Sequence, residues 1–159
     1  MQVQLNGHYR SKNLDLIRFS NDHFYDQRLK MIPDFNDLNK NQTAIDYVKV
    51  EGFWQKNTNH EEAVRVAQII QGLLKKNSKL EIGVVTFNAT QQMYILDFLE
   101  EYSLENNFTI PESLIVKNIE NIQGDEKDVI IFSTVYGPDL NGKMNMNFGS
   151  LNAEGGENR

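Results

Sequence analysis

The chain has 159 residues, 40% hydrophobic and 24% charged, enough for one domain with a sizeable core. Sixteen Lys and Arg against twenty-two Asp and Glu give a net charge of -6, which argues against a free-standing nucleic-acid binder and leaves room only for a local basic groove. With no cysteine, disulfides and thiolate metal sites are excluded, and His8, His23 and His60 are too scattered in sequence for metal-ligand spacing. There is no signal peptide and no apolar run long enough to span a bilayer, so a cytoplasmic protein is expected.

Residues 3–6 read as the end of a strand, followed by His8-Tyr9-Arg10-Ser11. Ser11 is a good helix N-cap, and Leu14, Ile17, Asn21 and Phe24 then fall at helical spacing. Tyr9 and Arg10 thus sit where a strand gives way to a helix, the edge where ligands gather in parallel α/β sheets. Residues 30–46, with Pro33 and several Asn and Asp, read as a loop. Tyr47-Val48-Lys49-Val50 alternates like a strand. Thr58 and Glu61 have capping-box spacing, and Ala63, Val66, Ala67, Ile70, Leu73 and Leu74 form a helical stripe after them.

Leu80 to Phe87 reads as a strand. Asn88 and Gln91 then open a helix that carries Ile95, Leu96, Leu99 and Tyr102. Thr86, Asn88 and Gln91 place hydroxyl and amide groups beside a helix start, a setting that holds phosphate as readily as it caps. Residues 105–113 read as a polar loop and Leu114-Ile115-Val116 as a short strand. Asn118 and the loop Asn121–Asp128 lead into Val129-Ile130-Ile131-Phe132, a run that suits a strand covered on both faces. In that loop Gln123 offers an amide, Gly124 a permissive backbone and Glu126 an acceptor for sugar hydroxyls; a plain solvated turn has the same composition.

Gly137 to Met144 nearly spells the phosphate-loop pattern G-x-x-x-x-G-K-[ST]. Met144 replaces the hydroxyl that Mg²⁺ needs, and no helical period follows, so a hairpin-like loop is expected, and a self-contained nucleotide enzyme built on Lys143 is not. From residue 137 to Arg159 the chain is rich in glycine and asparagine and reads as a mobile loop. The strand–helix alternation predicts one α/β domain, a three-layer α/β/α sandwich with a mostly parallel sheet and no phosphate loop of its own.

His8-Tyr9-Arg10-Ser11 with Leu16-Ile-x-Phe-Ser-Asn-x-x-Phe-Tyr25 resembles motif IV of superfamily 1 helicases. Ile82 to Gln91 resembles that family's next strand and loop, Glu120 to Ile131 resembles motif V, and Phe148 to Arg159 is similar to the lead-in to motif VI. The order and spacing of these stretches most resemble the second RecA-like domain in the branch of the nonsense-mediated-decay helicase, and within it large bacterial helicase-like proteins. There are departures. Thr86-Phe87-Asn88 stands where relatives often have Thr-Pro-Tyr, and Asn118 where Ser or Thr is usual.

The resemblance implies an ATP-dependent helicase or translocase acting on single-stranded DNA or RNA, with ATP and Mg²⁺ bound between two RecA-like domains of one polypeptide. It implies that Arg10 is an arginine finger, Tyr9 stacks on adenine, Gly124 brings its backbone near the phosphates, Glu126 holds the ribose and Gln123 belongs to the same nucleotide site. It assigns nucleic-acid contacts to Thr86, Asn88, Gln91 and Asn118. The competing reading is a non-catalytic α/β interaction module in which the same residues serve as caps and turns. Motif VI is expected beyond Arg159, and its loss leaves apolar surface uncovered. The fragment is therefore expected to self-associate, as light scattering over a wide concentration range can show; a clean monomer throughout would count against it.

Overall fold

The computed structural model describes residues 7–8, 13–31 and 44–144. The chain divides into two compact units, residues 1–49 and 50–159. In the first, β1 (Gly7–His8) pairs in parallel with β2 (Lys30–Met31), and α1 (Leu14–Phe24) connects them. The cap of α1 is Asn13 rather than Ser11, which lies outside the described residues; the Asn13 side chain accepts from the Asp15 amide at 3.0 Å. Asn21 is buried, and its carboxamide grips both backbone groups of Leu29, accepting from the amide at 3.0 Å and donating to the carbonyl at 3.5 Å. Asp26 and Gln27, both at positive φ, make the turn that follows. The apolar stripe expected on α1 is only partly buried, for Phe24 is exposed and so is Phe19, which stacks on His23.

Residues 45–50 form no strand, contrary to the alternation at Tyr47–Val50. A strand needs a pairing partner and one phase of the alternation turned inward. Tyr47 and Val48 are both exposed, so neither phase is buried.

The second unit contains α2 (His60–Lys76), β3 (Ile82–Thr86), α3 (Ala89–Glu105), β4 (Ile115–Asn118) and β5 (Val129–Ser133). Its sheet is parallel throughout, in the order β4-β3-β5. Register places Val84 between Val116 and Ile131 on one face. Both helices pack on that face, with Ala63, Val66, Ala67 and Ile70 from α2 and Ile95 and Leu99 from α3 closing the core over Ile82 and Val84. Every residue of β3 is buried because it is the central strand.

The opposite face carries Gly83 and Val85 of β3, Ile115 and Lys117 of β4, and Ile130 and Phe132 of β5. Because β4 and β5 flank β3 and run in parallel, residues 119–128 must return from the C-terminal to the N-terminal edge of the sheet. A Cβ on Gly83 would lie 3.2 Å from Lys127 Cγ and 3.1 Å from Ile130 Cδ1, so the returning chain passes close over β3 at its glycine. Ion pairing holds the crossing, through Lys117 with Asp125 and Lys127 with Glu81. β5 is not covered on both faces, as its apolar run implied. It lies at the edge of the described sheet, with Ile130 and Phe132 exposed.

Two glycines give opposite expectations. A Cβ on Gly52 would stand 2.2 Å from Asn59 Oδ1, whereas one on Gly72, inside α2, would meet nothing within 4 Å. Gly52→Ala is expected to destabilise by about 1–3 kcal/mol through overpacking, and Gly72→Ala to stabilise by about 0.5–1 kcal/mol through helix propensity. Urea denaturation of the two variants checks the signs.

Candidate functional site at the C-terminal edge of the sheet

Parallel strands bring their C-terminal ends to one edge, and register here puts Thr86, Asn118 and Ser133 side by side in a single row. The starts of α2 and α3 stand at the same edge. Asn88 caps α3, accepting from the Gln91 amide at 2.7 Å. Asn59 caps α2, accepting from the Glu62 amide at 3.2 Å. The capping pair of α2 is thus Asn59 and Glu62, one residue beyond the Thr58 and Glu61 read from the sequence. Thr58 instead closes a tight turn, its hydroxyl donating to the Gln55 carbonyl at 2.8 Å.

A buried polar network joins the two helix starts to β5. Gln91 is fully buried; its side-chain oxygen accepts from the Asn59 amide at 2.9 Å and its Nε2 donates to the Asn59 carbonyl at 3.1 Å and to Ser133 Oγ at 3.4 Å. Ser133 Oγ in turn donates to Glu62 Oε2 at 2.7 Å. The same carboxylate accepts from Thr134 Oγ1 at 3.1 Å and from the Val135 amide at 2.8 Å. The Glu62 side chain, which in a capping box would fold back onto its own helix start, holds the end of β5 instead.

Val135 sits at φ 66 and is fully buried. A β-branched residue in the left-handed region stores on the order of 1–3 kcal/mol, and the surrounding contacts must over-determine it. Three do so: the Val135 amide on Glu62, its carbonyl accepting from Asn59 Nδ2 at 3.5 Å, and the packing of Gly137 against the Gly52 carbonyl, where a Cβ would fall at 2.9 Å.

Beyond it the chain makes a hairpin rather than a phosphate loop. Pro138 bridges to Met144, and Asp139 Oδ1 accepts from the amides of Asn141 and Lys143 at 2.9 and 2.8 Å. Those amides are consumed by a carboxylate of the loop itself, so they cannot cradle a phosphate.

Of the residues read as nucleic-acid contacts, Thr86, Asn88, Gln91 and Asn118 are brought together at this edge. Thr86 is fully buried, its hydroxyl donating to the Asn88 carbonyl at 2.9 Å. Asn118 is the last residue of β4, two positions beyond the end expected for that strand, and its Oδ1 is buried without a hydrogen-bond partner. Gln123, Gly124 and Glu126 lie in the segment 119–128 that leads from the end of β4 to the start of β5, all three exposed. Gly124 has φ 94, with nothing within 4 Å of a Cβ position, so its backbone can be approached closely. Tyr9 and Arg10 lie outside the described residues. The sequence reading missed Asn59, Glu62 and Ser133; its one available signal was the Asn59–Glu62 spacing, which competed with Thr58–Glu61.

Residues 1–153 match the AAA domain family. The chain belongs to that family. Its fold is accordingly α/β and RecA-like, of the phosphate-loop NTPase class, with the parallel sheet described above. The chain is 38% identical over 166 residues to the "Uncharacterized ATP-dependent helicase MG140" of Mycoplasma genitalium, and 33% identical over 172 residues to its homolog in Mycoplasma pneumoniae. Each match covers 98% of this chain and 14% of the relative, so the chain spans about a seventh of the length of these helicases. Among the described residues no helix is long and apolar enough to cross a membrane, and no cluster of His, Cys, Asp or Glu suits a metal ion.

Removing the Glu62 carboxylate leaves the buried Ser133 hydroxyl and Val135 amide without their acceptor, while the exposed Thr134 hydroxyl turns to water. Glu62→Ala is expected to destabilise by about 2–3 kcal/mol, and Ser133→Ala by about 1 kcal/mol, in equilibrium unfolding. Hydrogen exchange at the Val135 amide should accelerate in the first variant before global unfolding does.

Proposed function

We propose that the chain is the second RecA-like domain of an ATP-dependent helicase or translocase of superfamily 1, in the branch of the nonsense-mediated-decay helicase. The supporting observation is the row Thr86, Asn118 and Ser133 at the C-terminal edge of a parallel sheet, flanked by two capped helix starts, in a chain of the AAA domain family. The names of its relatives point the same way. A motor that moves along any sequence must grip the backbone rather than read bases, and hydroxyl and amide groups at a helix start suit that task.

Within this reading Asn118 is the direct contact of the edge group. Its carboxamide oxygen is buried without a partner, and its Nδ2 is the donor it offers to a phosphate oxygen. Asn88 lies beside it as a cap. Thr86 and Gln91 contribute by positioning, since their polar atoms are engaged inside the protein. Single-stranded DNA and RNA offer the same backbone phosphates to this row.

On the nucleotide side, Tyr9 stacks on adenine, Arg10 reaches the γ-phosphate, and Gln123, Gly124 and Glu126 hold phosphate and ribose. The open backbone at Gly124 fits an approach by a ligand. The phosphate loop and the Mg²⁺ ligands come from the first RecA-like domain of the same polypeptide. ATP hydrolysis by the parent then alternates closure and opening of the two lobes, each cycle moving the strand.

The isolated chain, having half of the nucleotide contacts, is expected to show no ATP turnover in a coupled assay. In the parent protein Arg10→Ala should lower kcat by roughly 10³-fold or more, the range for an arginine finger, while nucleic-acid affinity changes little. Turnover by the isolated chain that disappears in Arg10→Ala would overturn the assignment.

A further inference from the structure

Beside the start of α2, where Tyr94 of α3 comes against it, lies a cleft of about 200 Å³ lined by Phe53, Gln55, Thr58, His60, Glu61 and Tyr94. None of the readings above uses it. Its floor is preformed. His60 Nδ1 and the Tyr94 hydroxyl are 2.7 Å apart, and the His60 ring meets Tyr94 and Phe98 edge-on at 6.2 and 5.5 Å. Phe98 stacks on Tyr94 at 6.5 Å and tilts against Tyr102 at 6.0 Å, so the aromatic column runs along α3 and fixes the Tyr94 ring. The opposite wall is the turn Gln55–Thr58, paired with itself by two backbone hydrogen bonds of 2.9 and 2.8 Å, with Lys56 and Asn57 at positive φ. Phe53 projects from this wall with 47% of its surface exposed.

Glu61 is the only carboxylate of the lining, and Lys56 lies in the turn of the opposite wall but not among the lining residues. Burial raises the pKa of the Tyr94 hydroxyl, and the carboxylates of Glu101 and Glu61 raise it further. Among the described residues Glu61 makes no ion pair. Aromatic faces beside an uncommitted carboxylate attract a cation and repel a polyanion.

We infer that this cleft binds an arginine side chain of a protein partner. The planar guanidinium lies flat against the Phe53 and Tyr94 rings, as an ammonium cannot, and its forked N–H groups meet the Glu61 carboxylate. When the Tyr94 hydroxyl donates to His60 Nδ1, its lone pairs remain to accept a further guanidinium N–H. The site is independent of the nucleotide and nucleic-acid assignments, since it shares no residue with either group.

The test is a calorimetric titration of the 159-residue chain with an (Arg-Gly)₄ peptide, with (Lys-Gly)₄ and oligothymidine as comparators. The arginine peptide is expected to bind saturably and the lysine peptide several-fold more weakly. Glu61→Gln and Tyr94→Leu should each lower affinity about fivefold, and Glu112→Gln, on the loop before β4, should leave it unchanged. Glu61 is exposed, so Glu61→Gln serves if Tyr94→Leu fails to fold. Equal loss in Glu112→Gln, equal binding of the lysine peptide, displacement of the peptide by oligothymidine, or no binding at all would each overturn the inference.

Discussion

The buried side chain of Gln91 holds the described edge together. One carboxamide satisfies both backbone groups of Asn59, the cap of one helix, from the first turn of another, and reaches Ser133 at the end of β5. Backbone donors and acceptors at helix starts have no partners within their own helices, so burying two such starts side by side requires polar groups supplied from outside. Gln91 and Glu62 supply them. A hydrocarbon at either place would leave buried amides or hydroxyls unsatisfied, which is why the core beneath is apolar while its upper rim is a network of amides and hydroxyls.

This network also determines what the edge can offer a ligand. Thr86, Gln91 and Ser133 are engaged inward, and the carboxamide oxygen of Asn118 is buried without a partner. The strained Val135 is held at the same place by Glu62 and Asn59, so the chain leaving β5 is directed by α2 rather than by its own local preference. Strain of this kind persists only where its surroundings over-determine it, as they do here. The neighbouring aromatic cleft grows from the same construction, because the turn that precedes the Asn59 cap is its outer wall.

The crossing of residues 119–128 is the second organising feature. It arises because β4 and β5 flank β3 in a parallel sheet without an intervening helix. Gly83 makes room for it, and the lysine–carboxylate contacts to Asp125 and Glu81 hold it down. The start of the crossing is tied to the row through the Ile119 amide on the Thr86 carbonyl at 2.8 Å, and Asp125 pairs with Lys117, one position short of the row, so Gln123 and Gly124 lie between these two anchors.

Much of the architecture was legible in the residues alone. Helical periodicity placed α2 and α3, β-branched runs placed β3 and β5, and the missing hydroxyl at Met144 disposed of the false phosphate loop. These are local signals, set by the period of apolar side chains and by backbone chemistry within a few residues. Elsewhere local signals were ambiguous or misleading. Tyr47–Val50 alternates like a strand but has no partner; the adjacent residues Thr58 and Asn59 compete as caps; and Lys117-Asn118 joins β4 only because β3 pairs with it. That Glu62 serves β5 rather than its own helix, and that Gln91 spans from one helix to another, depends on residues 71 and 32 positions away. Sequence determined which segments are helix and strand, because that choice is made by neighbours along the chain; tertiary structure alone decided which polar groups satisfy one another, because that choice is made by neighbours in space.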